Sequence, residues 1–323
     1  MLRPRIERPG LPGQESLDYN SELAGPSILP MPSLPPSSRC HSIAPVGDPI
    51  DNQTMPKSPW KQRISRAQEL AGQCPCAAEI LRFYALIVQF QSDLFDLLEQ
   101  TSTRAQFRAP EPVTGPPELP ELLAKFPAFL SLVENVGPRT LAQSARELGQ
   151  RSATFCTDLL SEYWAGACPE TAATGADQFF ARAFLQPYAE FVRLRVNVKS
   201  DGYTQPSCPF CGHKPGLGVL RPMGEGGKRS LLCSFCLAEW EFRRIVCPGC
   251  GEENHANLPV YTADELAHVR VECCDSCKRY IKTVDLTKCG LANPLVDEIA
   301  SVPLDLWARE RGYLKLQSNL MQL

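Results

Sequence analysis

Several things are scarce in this sequence, and each scarcity removes a class of function. No sign of charge dominates: 33 Lys and Arg stand against 36 Asp and Glu, a formal net charge of −3. Strong nucleic-acid binding leaves a basic footprint, yet residues 205–285 hold ten Lys/Arg and ten Asp/Glu. Arg243 and Arg244 sit beside Glu239 and Glu241, and Lys278 and Arg279 beside Asp275. No apolar run approaches the roughly eighteen residues of a membrane span. The most apolar segment, Ala85 to Phe90, is short and has polar flanks, so no membrane insertion is expected. Arg3 and Arg5 are followed by Pro9, Pro12 and acidic residues instead of an apolar h-region, and no secretory signal is read. No Ser-His-Asp set, phosphate-binding glycine loop or paired-carboxylate arrangement emerges. Gly224-Glu225-Gly226-Gly227 reads as a hairpin turn or loop between two cysteine pairs.

Cysteine is abundant, with fifteen residues. Eight of them form four Cys-x-x-Cys pairs: Cys208/Cys211, Cys233/Cys236, Cys247/Cys250 and Cys274/Cys277. Two intervening residues let both sulfurs of a turn reach one metal at about 2.3 Å, and a tetrahedral site takes two such pairs. In chain order the pairs read C-x2-C-x21-C-x2-C, then C-x2-C-x23-C-x2-C, with ten residues between the halves. This is a tandem ribbon pattern. It predicts that Cys208, Cys211, Cys233 and Cys236 bind one ion, and Cys247, Cys250, Cys274 and Cys277 a second. Four thiolates suit zinc and iron equally. Gly212 and Gly251 follow the second cysteine of a pair and suit a turn with positive φ, while Pro209 and Pro248 stiffen the pair itself.

Other readings of these residues compete. A secreted disulfide framework spreads its cysteines throughout a small chain, whereas these cluster within a longer helical one. Clustered CxxC pairs read as metal or redox chemistry in a reducing compartment, and with no signal read the expected location is the cytoplasm. A thiol–disulfide redox protein would place one reactive CxxC at a helix start in a βαβ setting, which the glycine-rich turns here do not offer. Cys273 adjoins Cys274; the x2 spacing makes Cys273 the spare thiol, and a 273/277 pair is the x3 alternative. Cys74/Cys76 form C-x-C without a partner pair and read as a helix entry. Cys156 and Cys168 read as buried or free thiols. His213 and His255 lie just past their cysteine pairs and are alternative ligands. His41 falls in the N-terminal tail, and His268 reads as exposed.

Residues 1–59 are rich in Pro, Ser and Gly, and the run Ile28 to Ser38 cannot form a helix or a central strand. The segment reads as a disordered tail. From Trp60 the pattern turns helical. Lys61 to Ala71 is amphipathic, and residues 77–100 place Ile80, Phe83, Ile87, Phe90, Leu94 and Leu97/Leu98 on one face. Residues 118–134, 138–165 and 176–197 are helical as well. After Val198 short β-type runs take over, at 218–220, 229–232, 239–246, 269–272 and 280–284. A last helix spans about 294–311, bent or split by Pro303. The expected fold is therefore α plus small β: an all-helical domain (60–200), a first four-cysteine ribbon (201–244), a second (245–290), and a C-terminal helix and tail (291–323). A unit of about forty residues buries too little apolar surface to stand alone, and metal binding supplies the missing free energy.

The strings around the cysteines carry a resemblance. Cys208-Pro-x-Cys-Gly, Leu231 to Trp240, Arg243 to Cys250 and Cys274-Asp-Ser-Cys-Lys-Arg-Tyr-Ile-Lys282 are similar to those of the formate dehydrogenase accessory protein family, FdhE. Arg66 to Leu70, Leu81 to Ile87, Asp305-Leu306 and Glu310 to Tyr313 extend it across about residues 60–315. The Pro-rich first 59 residues depart from the family pattern. The resemblance implies a helical domain with two rubredoxin-like metal knuckles holding two ions per chain, iron or zinc. It also implies a cytoplasmic factor that binds the molybdenum- or tungsten-containing catalytic subunit of respiratory formate dehydrogenase before export and is not itself an enzyme. Trp240 and Tyr280 read either as contact residues or as packing between the ribbons. A nucleic-acid-binding ribbon protein and a thiol–disulfide redox protein are the alternatives, and the oligomeric state, a homodimer included, stays open.

Overall fold

The structure is a computed structural model that describes residues 28–31, 59–102, 120–166, 175–196, 202–224 and 226–323. A short strand β1 (Ile28–Pro30) precedes helices α1 (Pro59–Gln73), α2 (Ala78–Ser102), α3 (Pro120–Leu123), α4 (Phe126–Val136), α5 (Arg139–Gly149), α6 (Ala153–Trp164) and α7 (Gly175–Arg195). Strands β2 (Pro215–Met223), β3 (Gly226–Cys233), β4 (Glu239–Glu241), β5 (Val260–Thr262), β6 (Val269–Cys274) and β7 (Arg279–Asp285) follow. Helices α8 (Pro294–Ala300) and α9 (Val302–Glu310) and strand β8 (Leu314–Lys315) complete the described chain. This is the expected fold class, a helical N-terminal region followed by a small mixed sheet that bears two four-cysteine knuckles. None of the described helices is long and apolar enough to cross a membrane.

Helix breaks fall where the local chemistry puts them. The predicted 138–165 helix is two helices, because Ser152 accepts the Phe155 amide at 3.1 Å and restarts the chain as an N-cap. Pro303 does split the C-terminal helix: α8 ends at Ala300, and α9 begins at Val302 with the proline in its first turn, where no N–H is needed.

Helix α7 is the axis of the helical region. Its residues from Phe179 to Val192 are all buried, as expected of a helix surrounded on every side. Phe180 and Phe184 pack on Phe129 of α4, and Phe191 packs edge-on to Phe95 of α2. Pro187 lies inside α7 and has no N–H to give the Ala183 carbonyl. Gln91 of α2, itself buried, donates to that carbonyl at 2.7 Å. The proline therefore survives in the core because a neighbouring helix satisfies the acceptor it orphans.

The strands form one eight-stranded sheet in the order β1-β5-β6-β7-β2-β3-β4, with β8 also paired to β7. Each ribbon contributes antiparallel pairs, β2–β3–β4 and β5–β6–β7, and the two join through a parallel contact of β2 with β7. Gly218 sits at that junction opposite Thr283. A Cβ there would lie 2.2 Å from the Thr283 hydroxyl oxygen, so the junction requires glycine. Residues 28–31 depart from the expected disorder. Ile28–Pro30 pairs in parallel with Val260–Thr262, and the Met31 amide donates to Thr262 O at 2.8 Å. An edge position accommodates Pro30, because one side of an edge strand needs no N–H. Apart from Pro59, the rest of 1–59 lies outside the described residues.

One face of the sheet packs on α8 and α9 through buried charge. Lys282 of β7 reaches Asp305 at 2.6 Å and Glu298 at 3.1 Å, and Tyr280 donates to Asp305 at 2.7 Å. His268, expected to be exposed, is buried: its Nε2 lies 2.9 Å from Asp297. Asp297 also receives two hydrogen bonds from Arg66 of α1, at 3.0 and 2.7 Å. Its burial alone would raise the carboxyl, but these partners hold it below the ordinary carboxylate range.

The Gln91 arrangement gives the first prediction. Gln91→Leu keeps the volume and leaves the Ala183 carbonyl buried without a donor, a loss of about 1–3 kcal/mol. Urea unfolding of the metal-loaded protein measures it, and an unchanged midpoint would show that the carbonyl does not depend on Gln91.

Candidate metal centres

The eight predicted cysteines come together in two groups of four. Within Cys208, Cys211, Cys233 and Cys236, and within Cys247, Cys250, Cys274 and Cys277, all sulfurs lie within 4.8 Å of one another. In the first group Cys208–Cys236, Cys211–Cys233 and Cys211–Cys236 are 3.5, 3.4 and 3.4 Å apart. In the second, Cys247–Cys277 and Cys250–Cys274 are 3.7 and 3.6 Å apart. A tetrahedron with bonds of about 2.3 Å has edges of about 3.8 Å, so both donor sets fit a four-thiolate metal ion. All eight thiols are free of disulfides.

The local backbone explains this convergence. Three of the pairs close a loop in which the amide of the first cysteine donates to the carbonyl five residues on: Cys208 to His213, Cys233 to Ala238 and Cys247 to Glu252, at 2.8–2.9 Å. Cys274 stands opposite Arg279, the same separation, at the β6–β7 turn. The residue after each second cysteine has positive φ: Gly212 at 74°, Leu237 at 57°, Gly251 at 78° and Lys278 at 55°. The two glycines were expected there; Leu237 and Lys278 were not, although their position relative to the pair was the available signal. Amides of Phe210, Phe235 and Gly249 approach the sulfurs of Cys208, Cys233 and Cys247 at 3.3–3.4 Å. Burial raises the Cys236 and Cys247 thiols, so a metal ion that binds them as thiolates must displace their protons.

The two groups differ in surroundings. The first is held against the helical region. Arg182 of α7 donates to Ser234 O at 3.2 and 2.7 Å and to the carbonyls of Ser318 and Asn319, while Arg193 donates to Cys236 O at 3.0 Å. Phe235, inside the second pair, packs among Trp164, Tyr163 and His213, with ring centres 4.8–5.7 Å apart. The second group lies nearer the surface: Cys250 is exposed and Cys277 half-buried, while Cys208, Cys233 and Cys236 of the first are buried. It is braced by Glu252, which accepts from the Asn254 amide at 2.9 Å, from Asn257 at 3.1 Å and from Ser276 of the facing pair. These bonds, Ser276 foremost, pull the Glu252 carboxyl down to about 2. No sequence pattern marked Arg182, Arg193 or Glu252, because none belongs to a cysteine motif.

The remaining candidates stand apart from both sulfur groups. Cys273 points to the opposite face of β6 from Cys274, opposite Tyr280, and burial raises its thiol. His213 packs on Phe235 with Nδ1 3.2 Å from the Cys211 carbonyl, and burial lowers its affinity for a proton. His255 lies exposed in a short 3₁₀ turn, Cys74 enters another at Pro75–Ala77, and Cys156 is half-buried on α6. Cys168 and His41 lie outside the described residues. Trp240 and Tyr280 are both buried, with Trp240 donating to Gln205 O at 3.2 Å, which makes them packing residues.

Gly251 isolates the backbone requirement, since a Cβ there would meet nothing within 4 Å. Gly251→Ala is expected to cost about 1–2 kcal/mol through the positive φ alone. Chemical unfolding of the metal-loaded protein tests this, and an unchanged stability would mean that the loop relaxes to negative φ.

Comparison with known proteins agrees with this architecture. The model described as FdhE, central domain, matches residues 207–244, and that described as FdhE, C-terminal domain, matches residues 245–322. The protein FdhE homolog of Aquifex aeolicus is 28% identical over 268 residues, covering 80% of this chain and 93% of that protein. The homolog of Pseudomonas aeruginosa is 40% identical over 119 residues, 35% of this chain and 38% of that one. The crystal structure of the FdhE protein from Pseudomonas aeruginosa shares the fold, with a TM-score of 0.61 and 24% identity over 83% of this chain and 98% of that chain. The two four-cysteine groups fall inside the regions that match the FdhE central and C-terminal domains, so it is the FdhE family that this chain resembles.

Proposed function

We propose that this protein is an accessory factor for the assembly or activation of respiratory formate dehydrogenase, that it binds the catalytic subunit of that enzyme in the cytoplasm, and that it catalyses no reaction itself. The observation that carries the reading is the pair of four-sulfur groups set within the regions that match the FdhE central and C-terminal domains. Each group is assigned one ion, iron or zinc, with Cys208, Cys211, Cys233 and Cys236 as one ligand set and Cys247, Cys250, Cys274 and Cys277 as the other. Four protein sulfurs fill a tetrahedral shell, and a filled shell keeps no open position for substrate. This supports a structural and recognition role over turnover. The metal units are taken as residues 201–244 and 245–290, between a helical domain at 60–200 and a C-terminal segment at 291–323; the junction of the two family models between residues 244 and 245 supports the division.

Elemental analysis tests the ligand assignment. Cys233→Ala is expected to lose one metal equivalent per chain and Cys273→Ala none. Retention of full metal content by the first variant would remove Cys233 from the ligand set.

Affinity capture of the tagged, metal-loaded protein from its host grown on formate tests the function. Enrichment of a formate dehydrogenase catalytic subunit is expected, together with no formate oxidation by the purified factor alone. Recovery of nucleic acid, or of complexes without any dehydrogenase subunit, would overturn the proposal.

A further inference from the structure

The sheet face away from α8 and α9 carries a cleft that borders the second metal group, with Cys247 and Cys274 in its lining. Strand alternation puts Arg270, Glu272 and Cys274 on one face of β6 and the buried Val269, Val271 and Cys273 on the other. The cleft has a cavity volume of about 60 Å³ and opens to solvent. Its apolar lining includes Leu220, Val260, Ile281 and Leu316, and the segment from Arg244 to Gly249 closes one side. Its charged lining is lopsided: Arg229, Arg244, Arg270 and Arg279 against Glu272 alone.

These arginines are not equivalent. Arg229 is buried and committed, with Nε and Nη2 on Glu272 at 3.0 and 2.6 Å and Nη1 on Arg243 O at 3.0 Å. Arg270 is under-served. Its buried Nε has no hydrogen-bond partner, and its nearest carboxylates, Glu272 at 3.9 Å and Asp285 at 3.7 Å, stand beyond hydrogen-bonding distance. Burial pulls this guanidinium below its ordinary range, with Arg244 and Arg229 adding to the effect against Glu272 and Asp285. Arg244 and Arg279 are exposed at the mouth, donating to Gly227 O at 2.5 Å and Lys315 O at 3.5 Å. Among the described residues none of the four donates a hydrogen bond to a cysteine sulfur.

An unpaired buried donor is costly, and a guanidinium cluster over an apolar wall matches a ligand with an oxyanion at one end and an apolar body at the other. We propose that this cleft binds a small organic oxyanion, a carboxylate or phosphate on an apolar body, received by Arg270 and Arg244 with Arg279 at the mouth. Arg229 and Glu272 hold the receiving surface in place. The proposal stands independently of the formate dehydrogenase reading.

Titration calorimetry on the full, metal-loaded chain tests it, with benzoate and phenyl phosphate as probes and uncharged benzamide as control. At least one anion is expected to bind at one equivalent, about tenfold or more tighter than benzamide. Arg244→Gln and Arg270→Gln are each expected to weaken that binding about tenfold, the loss of one charge-assisted contact, with metal content and unfolding midpoint unchanged. Tighter benzoate identifies a carboxylate ligand, and tighter phenyl phosphate a phosphate ligand. Arg244 is exposed, so its variant remains informative if Arg270→Gln misfolds. Anions that bind no better than benzamide, or binding that Arg244→Gln leaves unmoved, would overturn the assignment.

Discussion

The contact between Arg182 and the carbonyl of Ser234 joins the two halves of this protein. Arg182 lies on the buried stretch of α7, so its charge is tolerated only where its nitrogens find acceptors. Those acceptors are carbonyls of a cysteine turn and of the C-terminal segment. The Ser234 carbonyl, inside the second cysteine pair, faces α7 and accepts from it. Gln186 adds to the same carbonyl at 3.4 Å, and Phe235 fills the aromatic pocket beside it. The first metal group is in this way part of the core of the molecule.

The second group is fixed by different means. It hangs from the β5–β6–β7 hairpins, and its loops are tied by Glu252 and by Tyr313, which donates to Asp275 at 2.8 Å. Behind it, buried ion pairs of Lys282 and Lys315 with Glu298 and Asp305 set the register of the sheet on α8 and α9. Removing one member of such a set leaves a buried charge without its partner, a strong penalty that favours one arrangement over its neighbours. The two sulfur groups share the same turn geometry and differ in exposure: the first is packed against the helical region, while the second has Cys250 at the surface.

What could be read from the residues was short-range. Metal-ligand spacing is a property of a four-residue turn, so the four pairs and their division into two sets were legible without coordinates. Helical periodicity likewise revealed the helical region, and Pro303 its last break. Long-range partners left no such trace. His268 reads as a lone polar residue until Asp297 and Arg66, distant in sequence, are brought beside it. The helix over 176–197 was legible, but not the Gln91 donor that lets it run through Pro187. Leu237 and Lys278 resemble ordinary residues, and only closure of the sulfur set forces them to positive φ.

The sequence by itself determined the chemistry: two sets of four thiolates, a helical domain before them, a balanced charge, and a likeness to the FdhE family. These follow from local spacing, periodicity and composition, which hold in any conformation of the chain. The tertiary structure alone decided that the two ribbons fuse into one sheet through Gly218 and Thr283, that one sulfur group is more deeply buried than the other, and that arginines from separate strands and loops line one cleft. Those outcomes depend on which surfaces are removed from water together, and that is set only when distant segments pack.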